Sequence, residues 1–233
     1  YTDLSAIYDE SGTFHVVWST PLRDLTDDPC SPLYASRIWH WDDSPGGCVT
    51  LVYDASTPRF HCDPGAWNNS TCKMNISECA VDATTRLYCS FTRFGMHTTA
   101  NGDTNADCSA GNYANGDIVI VGSSDGGVTW SPAVNITNTN SDGCASGECE
   151  SEHWSSMAAY STDSVHIEYI QDLDAGGFPQ TEGEITCNPV MYVSHPCFPV
   201  VEFCDLAYTP IAIDYPTHIA PDDGSTDCTS GLT

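Results

Sequence analysis

The sequence predicts an all-β fold, and three observations lead to this prediction. No window places apolar residues at the i, i+3, i+4, i+7 spacing of an amphipathic helix over three turns. Short apolar runs instead alternate with polar residues and are bounded by Gly, Asp, Asn and Ser, which favour turns. One strand–turn–strand pattern also recurs three times. With 233 residues, 40% of them hydrophobic, the chain is long enough to bury a substantial core.

The recurring pattern consists of a short strand, a polar turn and an alternating strand. It covers residues 5–19 (SAIYDESGTFHVVWS), 78–92 (ECAVDATTRLYCSFT) and 156–170 (SMAAYSTDSVHIEYI). Two further strand-like runs follow each copy: residues 36–41 and 48–54, then 117–123 and 129–136, then 190–195 and 198–204. We therefore predict three units, each with four antiparallel strands.

Four-stranded antiparallel units that repeat along a chain are typical of β-propellers, because one blade alone cannot bury both of its faces. The prediction is a single β-propeller-like domain over residues 1–204 with long disulfide-stapled loops and a cysteine-containing extension over 205–233. Its blades cover about 4–54, 77–136 and 154–204. Closed propellers have about four to eight blades, so three blades would leave two faces open. We therefore expect association with other copies of the chain or with the remainder of a longer chain.

Thirteen cysteines indicate an oxidising compartment. The chain has no CxxC pair, which argues against a structural zinc site, and no CxxCH, the attachment motif of c-type haem. Closely spaced pairs instead predict loop-closing disulfides: Cys144 with Cys149, Cys197 with Cys204, and Cys72 with Cys79. No apolar segment is long enough to span a membrane. We therefore expect an extracellular or cell-surface location without membrane insertion.

The composition is strongly acidic, with 32 Asp and Glu against 6 Lys and Arg and a formal net charge of −26. Such a balance argues strongly against nucleic acid and anionic membranes as partners, since both require a basic surface. Cations are the better match, and Asp103, Asn105 and Asp107 alternate oxygen ligands at the spacing of a Ca²⁺ loop. A solvated turn is the equal alternative for this segment. Calcium is therefore the candidate cofactor, and we expect neither haem nor nucleotide.

The eight histidines include no HxH or HxxxH pair. His15 and His166 occupy equivalent positions in the second strand of their repeats, so they are predicted to be packed strand residues rather than zinc ligands. Trp39 and Trp41 alternate with His40, which directs both indoles to one side of a strand. Such a pair can stack on sugar rings, but inter-blade core is the preferred interpretation.

The segment SSDGGVTW, residues 123–130, lies between the third and fourth predicted strands of the second unit. Its Asp can accept backbone N–H groups across the turn, its Gly allows positive φ, and its hydroxyls can tie the strands together. The order resembles the Asp box, or BNR repeat, of the sialidase-like β-propeller superfamily, S-x-D-x-G-x-T-W. The residues at its fixed positions are Ser123, Asp125, Gly127, Thr129 and Trp130. A degenerate counterpart at 41–51 keeps Asp43 and a Gly pair but lacks the Trp.

The resemblance implies a propeller fold with a structural hairpin on its rim, and it implies little about activity. In that superfamily a sialidase needs three arginines to clamp a carboxylate, an Asp acid/base and a Tyr–Glu nucleophile pair. The five arginines of this chain are Arg23, Arg37, Arg59, Arg86 and Arg93. Since none lies beyond residue 93, such a triad is hard to assemble from separate blades.

The leading hypothesis for function is therefore a secreted or cell-surface, non-enzymatic adhesion, scaffold or assembly module, which includes a subunit of an extracellular polymer. A sialidase-type glycoside hydrolase and a glycan-binding propeller without hydrolysis are the two alternatives. Four N-x-S/T sequons are candidates for glycosylation: Asn68, Asn69, Asn75 and Asn135.

Overall fold

The computed structural model describes residues 3–23, 32–55, 62–65, 70–81, 84–98, 104–197 and 211–212. Within these ranges the chain forms fifteen strands and one short 3-10 turn at Phe178–Gln180, so the all-β prediction is confirmed. The strands are β1 (Leu4–Tyr8), β2 (Phe14–Arg23), β3 (Pro32–Asp42), β4 (Thr50–Asp54), β5 (Thr71–Val81), β6 (Thr84–Phe94), β7 (Met96–Thr98), β8 (Thr104–Ala106), β9 (Gly116–Ser123), β10 (Val134–Asn135), β11 (Ser151–Met157), β12 (Tyr160–Ser161), β13 (Ser164–Asp172), β14 (Val190–Pro196) and β15 (Ile211–Ala212). No helix in the described ranges has the length and apolar character needed to cross a membrane.

Most of the strands belong to three sheets. Sheet A has the order β1-β2-β3-β4, sheet B the order β10-β9-β6-β5-β12, and sheet C the order β11-β13-β14-β15. β7 and β8 form a separate hairpin, and β12 pairs in parallel with β5. The repeated segments predicted at 5–19, 78–92 and 156–170 are the antiparallel pairs β1–β2, β5–β6 and β11–β13. Over the described residues the sheets do not close into a barrel or a propeller ring.

The fourth strand of sheet C differs from the one predicted. The predicted strand at 198–204 lies outside the described residues. β15, at Ile211–Ala212, pairs antiparallel with β14 and takes the fourth position. The C-terminal extension at 205–233 therefore contributes a strand to sheet C.

Sheet B lies between the other two sheets and buries both of its faces. Successive residues of a strand point to opposite faces of a sheet, and the apolar residues of sheet B fall on both. The residues of sheet B that pack toward sheet A are Met74, Ile76, Cys89, Phe91, Val119 and Val121, and those that pack toward sheet C are Cys79, Tyr88, Ile118 and Ile120. We call the contact between sheets A and B the first interface and the contact between sheets B and C the second interface.

Some disulfides join cysteines that are close in sequence, and others join cysteines that the packing of the sheets brings together. Cys144 pairs with Cys149, as predicted, and Cys62 pairs with Cys108. The predicted bond between Cys197 and Cys204 is wrong, because Cys197 is bonded to Cys79, 118 residues away. Cys204 lies outside the described residues.

The predicted bond between Cys72 and Cys79 is also wrong. Both residues lie on β5. Seven residues of extended strand span roughly 23 Å, which is far beyond the reach of a disulfide. Cys79 instead faces sheet C, where the end of β14 brings Cys197 within bonding distance.

Candidate functional site

The turn at residues 123–130 joins β9 to β10 and is closed by its own polar side chains. Asp125 accepts the Thr129 N–H at 2.9 Å and the Thr129 hydroxyl at 2.6 Å. The Ser123 hydroxyl donates to Asp125 at 2.8 Å and accepts the Gly127 N–H at 2.8 Å. Burial opposes ionisation of Asp125, but the hydrogen bonds outweigh it and hold the pKa of Asp125 below its ordinary value. The turn is therefore a hydrogen-bonded structural unit.

The same turn attaches sheet B to sheet A. Gly127 has a φ of +91° and lies so close to His40 that a Cβ atom would be 2.2 Å from the ring. The Thr50 hydroxyl of sheet A donates to the Gly127 carbonyl at 2.6 Å, and the Trp130 indole N–H donates to it at 3.1 Å. The His40 and Trp130 rings meet edge to face, with centroids 5.5 Å apart. The fixed Gly and Trp of the motif are thus part of the first interface.

The turn between β1 and β2 uses a similar device, which the sequence analysis did not identify. Asp9 accepts the N–H of Thr13, four residues on, at 2.7 Å, as Asp125 does from Thr129. The shared signal is an Asp four residues before a Thr with a Gly between them. The degenerate counterpart at 41–51 works differently, because Asp43 accepts the N–H of Phe14 on the neighbouring strand.

A cluster of two histidines and one carboxylate lies beside the turn contact, on the inner face of sheet A. His15 is opposite Asp42 in the β2–β3 register and His40 is two residues from Asp42, so the three side chains share a face. His15 Nδ1 and His40 Nε2 are 3.0 Å apart. His40 is fully buried, and His15 and Asp42 are nearly so. Burial, and next the neighbouring His15, lower the pKa of His40 to about 4, so this ring is neutral at physiological pH.

The two histidines that were predicted to be packed strand residues differ in burial. His15 is buried in the first interface, as a packed strand residue should be. His166 is exposed on the outer face of sheet C, where its Nδ1 lies 2.5 Å from the Tyr192 hydroxyl. Repeat equivalence failed here because sheet C has no described sheet beyond it. The register of β2 with β3 is the signal that would have placed His15 beside His40.

The calcium loop predicted at 103–107 is described in part, because its backbone is described from residue 104 and its side chains from residue 106. Asp103 and the side chain of Asn105 lie outside the described residues. Asp107 is buried, and its carboxylate accepts the Asn115 amide at 2.8 Å and the Ser141 N–H at 3.3 Å. These donors occupy Asp107 with protein contacts, and calcium binding at this loop stays a prediction.

Two buried carboxyl groups, those of Asp117 and Glu152, lie close together near the end of the second interface. The Thr139 hydroxyl lies 3.1 Å from Asp117 and 2.7 Å from Glu152, and it has one proton for two carboxyl groups. Burial raises the pKa of Asp117 to about 6, although hydrogen bonds such as the one from Asn135 oppose the shift. Burial and then the Asp117 charge raise the pKa of Glu152 well above its ordinary value. We therefore expect the pair to retain a proton near neutral pH.

Most of the outer face of sheet A is apolar, and a polar row of Thr20, Arg37 and Asp54 adjoins the apolar part. Strand register aligns three rows of side chains on it: Leu4, Trp18, Trp39 and Leu51; Ala6, Val16 and Trp41; and Tyr8 and Phe14. We call these nine residues the apolar face. Leu4, Tyr8 and Leu51 are 66%, 60% and 43% exposed, and the tryptophans are half-buried. Inter-blade core is therefore the wrong interpretation of Trp39 and Trp41 for the sheets described, because both point away from sheet B.

The outer face of sheet C is more polar, although Ile170 and Val190 are paired on it. Register aligns polar residues across it: Ser156 beside Glu168 and Tyr192, and His166 beside Ser194. His166 and Glu168 are exposed, and the buried residues of β13 point the other way, into the second interface. The two outer faces of the stack therefore differ in polarity.

The described arginine side chains contact other parts of the chain. Arg37 pairs with Asp54 at 3.0 Å, and Arg86 and Arg93 donate to main-chain carbonyl groups. Of the sequons, Asn68 and Asn69 lie outside the described residues. The amides of Asn75 and Asn135 donate to Ser155 and Asp117, so a glycan at either position would replace those hydrogen bonds.

Comparison with known proteins gives no assignment of family. No protein-family model matches the chain, and no curated protein is similar to it.

Proposed function

We propose that this chain is a non-enzymatic extracellular assembly module that associates with a second copy of itself through the apolar face. The observation that carries the proposal is the exposure of that face, on which Leu4 and Tyr8 are 66% and 60% exposed beside half-buried tryptophans. Removing apolar surface from water contributes roughly 25 cal/mol per Å². Contiguous apolar patches of this kind mark contact surfaces in soluble proteins.

The charge of the chain supports pairing of the face with itself. Its three rows contain no Asp, Glu, Lys or Arg, although the chain has 32 acidic residues, and the two charges of the adjoining row, Arg37 and Asp54, pair with each other. Stacking the apolar face on the outer face of sheet C would instead bury Glu168 and His166 against apolar side chains, which is costly for a charge. A two-fold contact between two apolar faces avoids that cost, and it is the commonest arrangement of homo-oligomers.

The disulfides support an extracellular location. Three bonds are complete within the described residues, and one of them joins two sheets. Such bonds persist in oxidising compartments and are rare in the reducing cytosol. The strong negative charge suits a surface that stays solvated outside the contact face.

The test is the mass of the protein in solution. Light scattering after size exclusion should give twice the 25.1 kDa mass of one chain for the wild type. Leu4→Glu and Leu51→Glu place a charge on the apolar face and should each shift the protein to the monomer. Ile185→Glu is the matched control, because Ile185 is an exposed apolar residue (75%) in the loop before β14, and it should leave the dimer intact.

A wild type that remains a 25.1 kDa monomer at tens of micromolar would contradict the proposal. So would a dimer that survives both face variants, because it would have to use another surface. Near-UV circular dichroism of each variant checks that the loss of dimer is not a loss of fold.

Glycan binding is a second candidate function, favoured by the tryptophans of the apolar face. Trp39 and Trp41 lie on the outer surface, where indoles can stack on sugar rings. A titration of intrinsic fluorescence with oligosaccharides tests this function. A change that saturates in the wild type and disappears in Trp41→Ala would support it, and a monomeric wild type that binds sugar would replace the assembly proposal.

Sialidase-type hydrolysis ranks last among the candidates. The side chains of Arg37, Arg86 and Arg93 are each engaged with protein groups rather than gathered around one ligand position. Release of a chromogenic sialoside by the purified protein would reverse this ranking.

A further inference from the structure

The cluster of His15, His40 and Asp42 has the composition and the spacing of a metal site. Two nitrogens of a tetrahedral zinc site with bonds of about 2.0–2.1 Å are roughly 3.3 Å apart. His15 Nδ1 and His40 Nε2 are 3.0 Å apart, and ligand atoms of all three residues lie within 4.8 Å of one another. We propose that these residues bind one divalent transition-metal ion, for which zinc is the representative ion.

The second nitrogen of each ring already faces a partner. Metal-binding histidines usually donate their other N–H to a carboxylate or another acceptor, which fixes the ring. His15 Nε2 faces Asp9 Oδ2 at 3.4 Å, and His40 Nδ1 faces Thr50 Oγ1 at 3.4 Å. Both rings are therefore oriented with the inner nitrogen toward the space between them.

The carboxylate ligand is also held in place. Ser44 donates both its N–H and its hydroxyl to Oδ1 of Asp42. Oδ2 is then the oxygen that a metal ion would take. Because all three ligands lie on paired strands of sheet A, the backbone ladder fixes their relative positions before any ion binds.

The hydrogen bonds of the cluster direct one nitrogen of each ring toward the other. The Thr50 hydroxyl donates to the Gly127 carbonyl at 2.6 Å, so it accepts from His40 Nδ1–H. In a neutral ring His40 Nε2 then carries no hydrogen, and this nitrogen faces His15 Nδ1. The hydrogen bond between the two nitrogens then takes its proton from His15 Nδ1–H, and a metal ion bound by both nitrogens would take the place of that proton.

The charged side chains that the structure describes around the cluster are acidic. Asp9, Asp42 and Glu78 surround it, and Glu78 also accepts the Glu10 N–H at 2.9 Å. A divalent cation would neutralise this excess of negative charge.

The donor set selects the kind of metal. Imidazole nitrogens with one carboxylate suit zinc and its neighbours in the transition series, whereas calcium and magnesium prefer oxygen ligands alone. Gly127 closes one side of His40, so the ion would be enclosed by the first interface. Three protein ligands leave one position for water.

The experiment is calorimetric titration of the metal-stripped full chain with Zn²⁺. Excess Mg²⁺ in the buffer occupies the surface carboxylates, so a specific site remains visible. We expect one zinc per wild-type chain. Asp42→Asn keeps an acceptor for Ser44 but removes the ligand charge, and it should weaken binding more than the roughly 10–100-fold typical of partners outside the ligand set. His166→Gln, at an exposed histidine, should bind zinc like the wild type.

The absorption spectrum of bound Co²⁺ provides a second readout that folding alone does not change. Intense bands of a tetrahedral nitrogen-containing site in the wild type, lost in Asp42→Asn, are the expected result. Absence of stoichiometric zinc from the wild type, equal affinity of Asp42→Asn, or equal loss in His166→Gln would each overturn the proposal. If Asp42→Asn does not fold, the wild type alone still tests the proposal. A cobalt spectrum identical to that of the hexahydrated ion would show that the wild type does not bind the metal, and would overturn the proposal.

Discussion

Sheet B is attached to its two neighbours by different means. At the second interface, the bond between Cys79 and Cys197 joins β5 covalently to the end of β14, and β12 pairs with β5. At the first interface, no disulfide of the described residues joins the two sheets, and apolar packing together with the close fit of Gly127 against His40 holds them in contact. The comparison teaches that one stacked arrangement can be secured by a covalent bond on one side and by shape complementarity on the other.

Removal of the covalent link should have the largest effect. A disulfide that closes a loop of 118 residues stabilises by about 5 kcal/mol in the chain-entropy estimate, so a Cys79→Ala/Cys197→Ala protein should lose about that free energy of unfolding. The matched control is Cys144→Ala/Cys149→Ala, whose separation of five residues predicts a loss of about 2 kcal/mol. Urea unfolding without reductant measures both, and equal losses would contradict the role assigned to the inter-sheet bond.

Disruption of the close fit at the first interface should cost slightly less. Gly127→Ala combines a left-handed φ with a Cβ atom 2.2 Å from His40, and we expect a loss of about 4 kcal/mol. Gly126→Ala is the matched control, because Gly126 has a φ of +73° but no atom within 4 Å of its Cβ position. It should cost only about 1–2 kcal/mol. Equal losses in thermal unfolding would show that contact with His40 contributes nothing.

The two interfaces should also differ in their response to pH. The pKa of Asp117 is raised from 3.8 to about 6, so between these values the native carboxyl keeps a proton that the unfolded chain has lost. The free energy of unfolding should therefore fall as pH rises from about 4 to about 6, by about 3 kcal/mol. Glu152 acts in the same direction, because its pKa is also raised.

Asp117→Asn isolates this effect. The difference between wild type and variant removes the contribution of His40, whose lowered pKa acts in the opposite sense over the same pH range. The wild type should lose stability relative to the variant as pH rises. Denaturant titrations at several pH values measure the free energy of unfolding of both proteins. A difference between them that does not change with pH would contradict the raised pKa of Asp117.

The smallest effect should come from the two turns. Asp125→Ala removes the hydrogen bonds from Thr129 and Ser123, and we expect a loss of about 2 kcal/mol. Asp9→Ala should cost a similar amount, since Asp9 accepts from Thr13 in the same way. Unchanged stability of Asp125→Ala together with loss of an activity would show that the turn is functional rather than structural.

Local features could be predicted from the sequence. The three hairpins follow from alternating apolar residues and turn residues that are neighbours in the chain. The Cys144–Cys149 bond follows from a separation of five residues. The hydrogen bonds around Asp125 follow from residue types at fixed spacing within one turn.

Features that depend on how the sheets stack could not be predicted. Cys79 and Cys197 meet because one face of β5 packs against sheet C, and no pattern near either residue indicates this. The contact of Gly127 with His40 likewise joins two units of the repeat. His15 and His40 required the register of β2 with β3, which alternation alone does not give.

The edge of β5 has a consequence for aggregation. Its N–H groups at Lys73, Ile76 and Glu78 are bonded to Asp3 and Ser5 of the β1 segment and to Ala159 of the sheet C connection. Amides that are already bonded cannot template an incoming strand, which is the step that begins cross-β fibril growth. The middle sheet is thus protected against amyloid-type addition at these positions, and crowded copies of the protein would not exchange strands through them.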